Sequence, residues 1–220
     1  MTENPNHQEK QPLLTKEDIA ERLLSLGAIS VETDRTYTWS SGIESPVYSD
    51  MRLIISDVES RKQIADLLAE TVKKFGNIDG VAGTATAGIP HAALVAERLG
   101  FPMVYVRSEA KGHGKENQIE GVAQEGLSYV VIEDLISTGS SSIKSAEALI
   151  AAGAICNNVV SIFDYKLPIA TENATQAELT FNSLTDFPTV MKTALEKGLW
   201  STQQLEVAQE WYADPMSWHK

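Results

Sequence analysis

Residues 129–149, YVVIEDLISTGSSSIKSAEAL, place an apolar segment, two adjacent carboxylates, a turn of small and hydroxyl-bearing residues and a helical pattern in series. The apolar run at 130–132 is typical of a buried parallel strand. Ile143, Ala146 and Ile150 repeat at helical spacing, so the turn before them opens a helix. The stretch therefore predicts a strand, a turn and a helix, which is the repeating unit of a parallel α/β sheet.

The turn between this strand and this helix is suited to bind an anion. Amides exposed at a helix N-terminus attract anions, and the residues from Ser137 to Ser142 add hydroxyl donors without bulk. Glu133 and Asp134 would repel a phosphate, so we expect them to accept hydrogen bonds from sugar hydroxyls or to hold a cation through water. Adjacent strand residues point to opposite faces, so one carboxylate is expected to meet the sugar directly. The pattern indicates a ribose 5-phosphate cradle, and the simpler alternative is a helix whose own Ser and Thr side chains cap it.

Apolar segments and helical patterns alternate along the rest of the chain, which predicts a parallel α/β sheet whose ligands bind at the carboxyl ends of the strands. The predicted strands cover residues 80–84, 103–107, 129–133 and 159–163, with a further strand-like piece at 179–181. The predicted helices cover residues 15–27, 64–75, 87–99, 140–152, 187–195 and 205–212.

Residues 36–50 have a different pattern, because aromatic and β-branched residues lie on both sides of Ser41-Gly42. This composition predicts a hairpin or hood of two short strands, which would form a lid over the site. Trp39 and Tyr48 fall in this hairpin, where large aromatic side chains belong to the core more often than to a pocket.

Length and composition indicate one compact domain, since the chain has 220 residues, of which 43% are hydrophobic and 22% charged. We expect a tail over residues 1–12 and a single domain over 13–220, divided into a hood (about 13–55), a core (about 56–185) and C-terminal helices (about 186–213). Cys156 is the only cysteine and is expected to be a buried structural thiol. The match of residues 173–175 to a glycosylation acceptor is attributed to chance.

The charge balance argues against a nucleic-acid partner, because the net charge is −12 and phosphate-backbone binding depends on basic surface. No window approaches the roughly 18 apolar residues of a membrane helix, so we expect no membrane contact and a cytoplasmic location. Arg107, Lys111 and Lys115 fall within one short polar segment, which indicates a site for a small, highly charged anion. Two other glycine-containing stretches, at 83–88 and 112–117, lack residues that a P-loop or a dinucleotide fingerprint requires.

The cradle sequence resembles the phosphoribosyl pyrophosphate (PRPP) motif of type I phosphoribosyltransferases, because an acidic pair is followed two residues later by a hydroxyl residue, Thr and Gly. Further segments resemble the orotate phosphoribosyltransferases within that family: TYTWSSGIESPVYSDMRL at 36–53, GTATAGIPHAALVAERL at 83–99, YVRSEAKGHGKENQIEG at 105–121 and VVSIFDYKLP at 159–168. The segment at 107–121 is the most specific of these.

The resemblance implies the type I phosphoribosyltransferase fold, an α/β fold with a central parallel sheet flanked by helices and a small N-terminal hood. It also implies transfer of ribose 5-phosphate from PRPP to orotate, giving orotidine 5′-monophosphate and pyrophosphate in de novo pyrimidine (UMP) biosynthesis. The alternatives are a PRPP-binding regulatory protein of the same fold and a phosphoribosyltransferase for another base.

Residue roles follow from the resemblance for each part of the substrates. Lys111 would neutralise departing pyrophosphate, Arg107 would grip it, and His113 would donate a hydrogen bond or a proton. Together with Asp134, these three form the expected catalytic set. The expected PRPP-binding residues are Arg107, Lys111, His113, Glu133, Asp134, Leu135, Ile136, Ser137, Thr138, Gly139, Ser140 and Ser141. The expected orotate-binding residues are Ser137 and Arg52, with Arg52 assigned to the carboxylate.

The resemblance also implies a Mg²⁺ ion that bridges pyrophosphate and ribose oxygens, for which no protein ligand is assigned. It implies a homodimer in which the loop at 107–121 completes the neighbouring subunit's site. Family members place pyrophosphate against the turn at 83–88, where close helix packing is the alternative explanation for the small residues.

Several positions depart from patterns seen in some members of the family. Where some members have a Lys before Ser-Gly, this chain has Ser40, and where they have an Arg after Asp, it has Tyr165. Ser140 replaces the second Gly of the PRPP motif, and Ala87 replaces a Lys in the turn at 83–88. Two of these four changes fall in segments expected to contact the base. The resemblance therefore supports base recognition less firmly than PRPP recognition.

Overall fold

The computed structural model describes residues 14–39, 41–108 and 118–218, and the expected tail at 1–12 lies outside these ranges. The helices are α1 (Lys16–Ser25), α2 (Leu53–Ser56), α3 (Val58–Lys73), α4 (Gly88–Leu99), α5 (Ser140–Ala151), α6 (Pro168–Gln176), α7 (Phe187–Lys197) and α8 (Thr202–Ala213). The strands are β1 (Ile29–Val31), β2 (Tyr37–Thr38), β3 (Glu44–Ser45), β4 (Val47–Ser49), β5 (Gly80–Thr84), β6 (Met103–Val106), β7 (Ile119–Glu120), β8 (Ser128–Ile136), β9 (Ile155–Asp164) and β10 (Thr180–Asp186).

A six-stranded sheet in the order β10-β9-β8-β5-β6-β7 forms the centre of the molecule. All neighbouring strands are parallel except β7, which runs antiparallel to β6 at the edge. The sequence prediction of a parallel α/β sheet is confirmed, and the edge strand β7 is an addition to it. Strands β8 and β9 extend beyond their apolar centres, because pairing continues past the carboxyl end of the apolar run in β8 and past its amino end in β9.

Alternating residues of the central strands fill two cores on opposite faces of the sheet. Val130 and Ile132 pack into the larger core, which also contains side chains of α1, α3, α4, α7 and α8. Tyr129 and Val131 pack into the smaller core together with apolar residues of α5. All four side chains are fully buried, which is why this strand is a continuous apolar run rather than an alternating one.

The N-terminal segment forms the predicted hood, but not as a hairpin of two strands. Strand β2 pairs with β3, whereas Val47 and Tyr48 in β4 pair antiparallel with β1. Helix α8 holds this segment against the core, since the indole N–H of Trp211 donates to the carbonyl of Glu44 at 3.0 Å. The side-chain amide of Gln204 donates to the carbonyl of Val31 at 2.9 Å. The hood is therefore anchored by the last helix of the chain.

Helix α6 was not predicted, because its buried positions are only Ala170 and Ala174 and such small residues give a weak periodic signal. Pro168 begins the helix at a position where its missing N–H costs nothing. Among the described helices, none is long and apolar enough to cross a membrane.

Candidate active site

The candidate site forms where the carboxyl ends of four neighbouring parallel strands meet at one edge of the sheet. Gly83 pairs with Ile132 and Thr84 pairs with Val106, so the turns after β5, β6 and β8 start side by side. The end of β9 is in register with the end of β8. The sequence prediction that the singled-out motifs share this edge is confirmed for the segments that the structure describes.

The turn after β8 opens a cleft of about 520 Å³. Gly139 occupies the N-cap position of α5 with a φ of 78°, and no side chain caps the first turn of this helix. By contrast, α1, α3, α7 and α8 are each capped by a Thr, Asp or Ser side chain. The cleft is lined by Ser41, Glu133, Leu135, Ser137, Thr138, Gly139, Ser140, Ser141, Ser142, Lys144, Ile169 and Asn173.

The described hydroxyl groups of this turn do not cap the first amides of α5. The Thr138 and Ser140 hydroxyls form a hydrogen bond with each other at 3.0 Å, and Ser142 donates to the Glu133 carboxylate at 3.1 Å. The self-capped helix considered from the sequence is therefore not what forms. The first amides of α5 are left for another acceptor, and an anion is the acceptor that a helix N-terminus favours.

Glu133 lines this cleft and is largely withdrawn from water, and Asp134 follows it in β8. Glu133 is only 5% exposed, and besides Ser142 it accepts a hydrogen bond from the backbone amide of Asp134 at 3.1 Å. Burial, followed by the neighbouring Asp134 charge, raises the pKa of Glu133 well above its usual range. Burial also raises the pKa of Asp134, whose side chain is half-buried. Since Glu133 is already held by Ser142, Asp134 is the carboxylate that is more available to a ligand.

The turn at 83–88 packs directly against the acidic pair. A Cβ on Gly88 would lie 2.5 Å from the carbonyl oxygen of Ile132, the residue before Glu133. The Thr84 hydroxyl is buried and accepts from Ser145, and α4 begins without a capping side chain. Close packing therefore explains the small residue at Gly88, while the amides that begin α4 face the same edge of the sheet as those of α5.

A second cleft of about 310 Å³ adjoins the first. Its lining is mostly aromatic and hydroxyl-bearing, and it consists of Tyr37, Thr38, Trp39, Tyr48, Ser49, Leu135, Ser137 and Tyr165. Leu135 and Ser137 line both cavities, so the two clefts meet at the cradle. We call this second cavity the aromatic cleft. Trp39 serves both core and cleft, because its ring also packs against Trp211 at a centroid distance of 5.3 Å.

The predicted cationic residues occupy two different surroundings. Arg52 forms a bidentate pair with Asp50, with nitrogen-to-oxygen distances of 2.6 and 2.8 Å, and its hydrogen bonds lower the pKa of Asp50. Its charge is also within electrostatic reach of Asp134. Arg107 follows β6, where its amide donates to the carbonyl of Gln118 at 2.9 Å and its guanidinium lies 3.7 Å from the Glu120 carboxylate.

Lys111 and His113 lie outside the described residues, so their predicted roles are not tested by the geometry. The segment that contains them leaves the sheet after Arg107 and returns at Gln118, at the base of the β6–β7 pair. The two ends of the segment are therefore held together by the hydrogen bond between Arg107 and Gln118.

Comparison with known proteins identifies the family. A phosphoribosyl transferase domain model matches residues 55–169. The orotate phosphoribosyltransferase of Bacillus subtilis (strain 168) is 49% identical over 210 residues, covering 94% of this chain and 97% of that protein. The chain belongs to the orotate phosphoribosyltransferase family.

Solved structures agree with this family and with the type I fold. The crystal structure of orotate phosphoribosyltransferase from Aeropyrum pernix has a TM-score of 0.71 and 33% identity, covering 83% of this chain and 99% of that one. The structure of Leishmania donovani UMP synthase has a TM-score of 0.78 at 23% identity, covering 90% of this chain and 42% of that one. This second likeness concerns the fold alone.

Sequence reasoning missed several side chains that line the two clefts, among them Ser41, Ser49, Lys144, Tyr165 and Asn173. Asn173, on α6, donates to the carbonyl of Thr138 at 2.9 Å and so braces the cradle. Lys144 lines the phosphate end of the cradle, Ser41 lines it from the hood, and Tyr165 lines the aromatic cleft. Lys144 lies four residues after Ser140, so the sequence could place it on α5. Asn173 could not be placed near the cleft, because α6 has almost no periodic apolar pattern.

Proposed function

We propose that the cradle holds PRPP and the aromatic cleft holds orotate, for the transfer reaction that gives the family its name. The observation that supports this assignment is the uncapped N-terminus of α5 beside a buried acidic pair, with an aromatic cleft adjoining it at Ser137. A helix N-terminus suits a phosphate, carboxylates suit ribose hydroxyls, and an aromatic cleft suits a planar base.

In this reaction the bond from ribose C1 to the pyrophosphate oxygen breaks, the bond from C1 to N1 of orotate forms, and the proton on N1 of orotate is released to solvent. The departing oxygen keeps the electron pair of the broken bond, so groups that meet developing negative charge accelerate the step. The 5-phosphate accepts from the first amides of α5 and the hydroxyls of 137–141. Asp134 and Glu133 accept from the ribose hydroxyls and favour positive charge at the sugar. Arg107 and Lys111 bind the pyrophosphate, and His113 donates a hydrogen bond or a proton to it.

A magnesium ion fits the residues at the floor of the cradle. Two adjacent carboxylates with raised pKa values are stabilised by a nearby cation, and Mg²⁺ retains waters and needs few protein ligands. Glu133 and Asp134 would hold it through water or through the ribose oxygens. When bound, it would supply Lewis-acid neutralisation of the pyrophosphate charge.

The remaining parts of the proposal concern the assembly and its setting. The loop at 107–121 completes the site of a second copy of the chain, so the active species is a homodimer. Arg52 contacts the orotate carboxylate once it is released from Asp50 or while it bridges both groups. The protein works in the cytoplasm, in pyrimidine biosynthesis.

The test follows orotate absorbance with purified protein, PRPP and Mg²⁺, and repeats the assay with uracil, hypoxanthine and adenine. We expect orotate to be consumed only when PRPP and Mg²⁺ are both present, while the other bases are inert. Reaction with another base instead of orotate would reassign the substrate. If no base reacts while PRPP still raises the melting temperature, the chain is a PRPP-binding regulator and the proposed activity is wrong.

A further inference from the structure

Two hydroxyl groups in the aromatic cleft form a hydrogen bond that joins the hood to the core. Ser49 ends β4 in the hood, Tyr165 follows β9 in the core, and their oxygens are 2.6 Å apart. Both residues line the aromatic cleft. They are separated by 116 positions in the chain, so only the folded arrangement brings them together.

The Tyr165 ring is held rigidly behind this pair. It is 2% exposed, and its centroid lies 4.3 Å from that of Trp39 and 4.8 Å from that of Phe163. Ser49 is half-buried, so it is the member of the pair that a ligand in the cleft meets first. Burial raises the pKa of the Tyr165 phenol, which therefore keeps its proton at neutral pH.

The chemistry of the pair directs one proton into the cleft. Two hydroxyls that share one hydrogen bond have a second proton free to donate. Either hydroxyl can be the donor in this bond. A phenol is a better donor than an alcohol, so the favoured arrangement has Tyr165 donating to Ser49, which leaves the Ser49 proton for a ligand. Such a chain polarises both bonds and strengthens the outer donor.

The other described residues that line the aromatic cleft are uncharged, so hydroxyl groups supply most of its polar recognition. We propose that Ser49 recognises the base by donating to an oxygen of orotate, and that Tyr165 is a positioning residue that fixes the Ser49 hydroxyl. This inference rests on the proposed function, because it takes the aromatic cleft as the orotate site. Tyr165 stands at one of the positions where this chain departs from the Asp-Arg pattern of some relatives, and there it would position the recognising Ser49 hydroxyl.

The test measures steady-state kinetics of Ser49→Ala, Tyr165→Phe and the double variant. We expect KM for orotate to rise about tenfold in each single variant, the loss typical of one hydrogen bond, with KM for PRPP unchanged and kcat within about threefold. The double variant should resemble Ser49→Ala, because both changes remove the same donor. Ser49→Thr, which keeps the hydroxyl, should retain most of the wild-type KM.

Tyr129→Phe is the matched control, since Tyr129 is fully buried in the smaller core and its hydroxyl accepts from the amide of Gln124. Its KM values should stay at wild-type level.

An unchanged orotate KM in Ser49→Ala and Tyr165→Phe would overturn the inference. An equal rise in the KM values for orotate and PRPP would also overturn it, because that result would indicate a loosened hood. If Tyr165→Phe does not fold, the contrast between Ser49→Ala and Ser49→Thr decides. Failure of the unaltered protein to consume orotate is a separate result that overturns the proposed function and this inference together.

Discussion

The carboxylates of Glu133 and Asp134 oppose folding of the ligand-free protein at neutral pH, because burial disfavours their charged forms. The pKa of Glu133 is higher in the folded state than in the unfolded state, so folding favours its protonated form. Its contribution to stability is full below the unfolded pKa and is lost as pH rises through the folded pKa. The site therefore keeps two adjacent acidic groups whose charged forms the ligand-free fold does not stabilise.

We predict that Glu133→Gln melts at a higher temperature than the unaltered protein at pH 8, by about 2–4 °C for each kcal/mol gained in a chain of this size. The gap should narrow as pH falls and close below the unfolded pKa of Glu133, where the residue is uncharged in both the folded and the unfolded state. Activity should fall at least about tenfold, since the amide is a poorer partner for ribose hydroxyls and a cation. Melting curves from pH 4.5 to 8 check the first part, and a variant that melts lower at pH 8 would contradict it.

Gly139 controls the shape of the cradle through its backbone and through its contact with β10. Its φ is 78°, and an added Cβ would lie 2.4 Å from the Phe181 ring. Gly126 has the same φ of 78° with nothing near its Cβ position, so it isolates the backbone cost. We predict that Gly126→Ala loses about 1 kcal/mol of stability from the left-handed conformation alone.

Gly139→Ala should lose more than Gly126→Ala and should also raise KM for PRPP about tenfold, because the phosphate turn or Phe181 must move. Chemical denaturation and steady-state kinetics of the two variants measure both effects. Equal stability losses with normal kinetics would show that the Phe181 ring yields without disturbing the cradle.

The sequence predicted the position of individual residues where a local pattern of strand, turn and helix surrounds them. Ser137, Thr138 and Gly139 follow a strand and precede a helix, so their place in a cradle could be inferred. The burial of Glu133 by Ser142 and the bond from Asn173 to Thr138 could not, because both depend on how distant elements pack. Likewise, the Ser49–Tyr165 bond joins residues with no sequence pattern in common.

At the scale of elements, α8 sets the position of the hood over the aromatic cleft. The Trp211 indole donates to the Glu44 carbonyl and its ring packs edge-on against Trp39 and Tyr165. We predict that Trp211→Phe lowers stability by about 2 kcal/mol from the cavity and the lost donor, and raises KM for orotate more than KM for PRPP.

Trp200→Phe is the control for this change, since Trp200 is also buried and packs against Phe187 at a centroid distance of 6.4 Å. Trp200→Phe should lower the stability but leave the ratio of KM for orotate to KM for PRPP unchanged. If Trp211→Phe changes both KM values equally, α8 stabilises the whole fold and does not position the hood.

Element prediction from the sequence succeeded where burial is periodic and failed where it is not. The Thr15–Asp18 capping box begins α1 as expected, and β5 matches its predicted range of 80–84. Helix α6 and the two-residue strand β7 have too few buried side chains to produce a pattern. Strands β8 and β9 were predicted too short, because their polar ends are set by pairing with each other.

At the scale of the whole molecule, the net charge of −12 means that its anionic substrates must be met by cations at particular places. The proposed second copy supplies some of them through the loop at 107–121. We predict that Lys111→Ala alone and Asp134→Asn alone are each nearly inactive. In the proposed homodimer Lys111 acts from one subunit and Asp134 from the other, so each site in either variant homodimer would lack one of the two groups.

Mixing these two variants should restore activity if loops serve the neighbouring site. Random exchange makes about half of the dimers heterodimeric, and each has one intact site, so recovery should approach about a quarter of the unaltered activity. Lys115→Ala in place of Lys111→Ala is the control for loss of charge in the same segment. Native mass spectrometry of subunits with different tags measures heterodimer formation alongside the assay. No recovery in a sample that contains heterodimers would place Lys111 in the site of its own subunit, because then every subunit would retain its own defect.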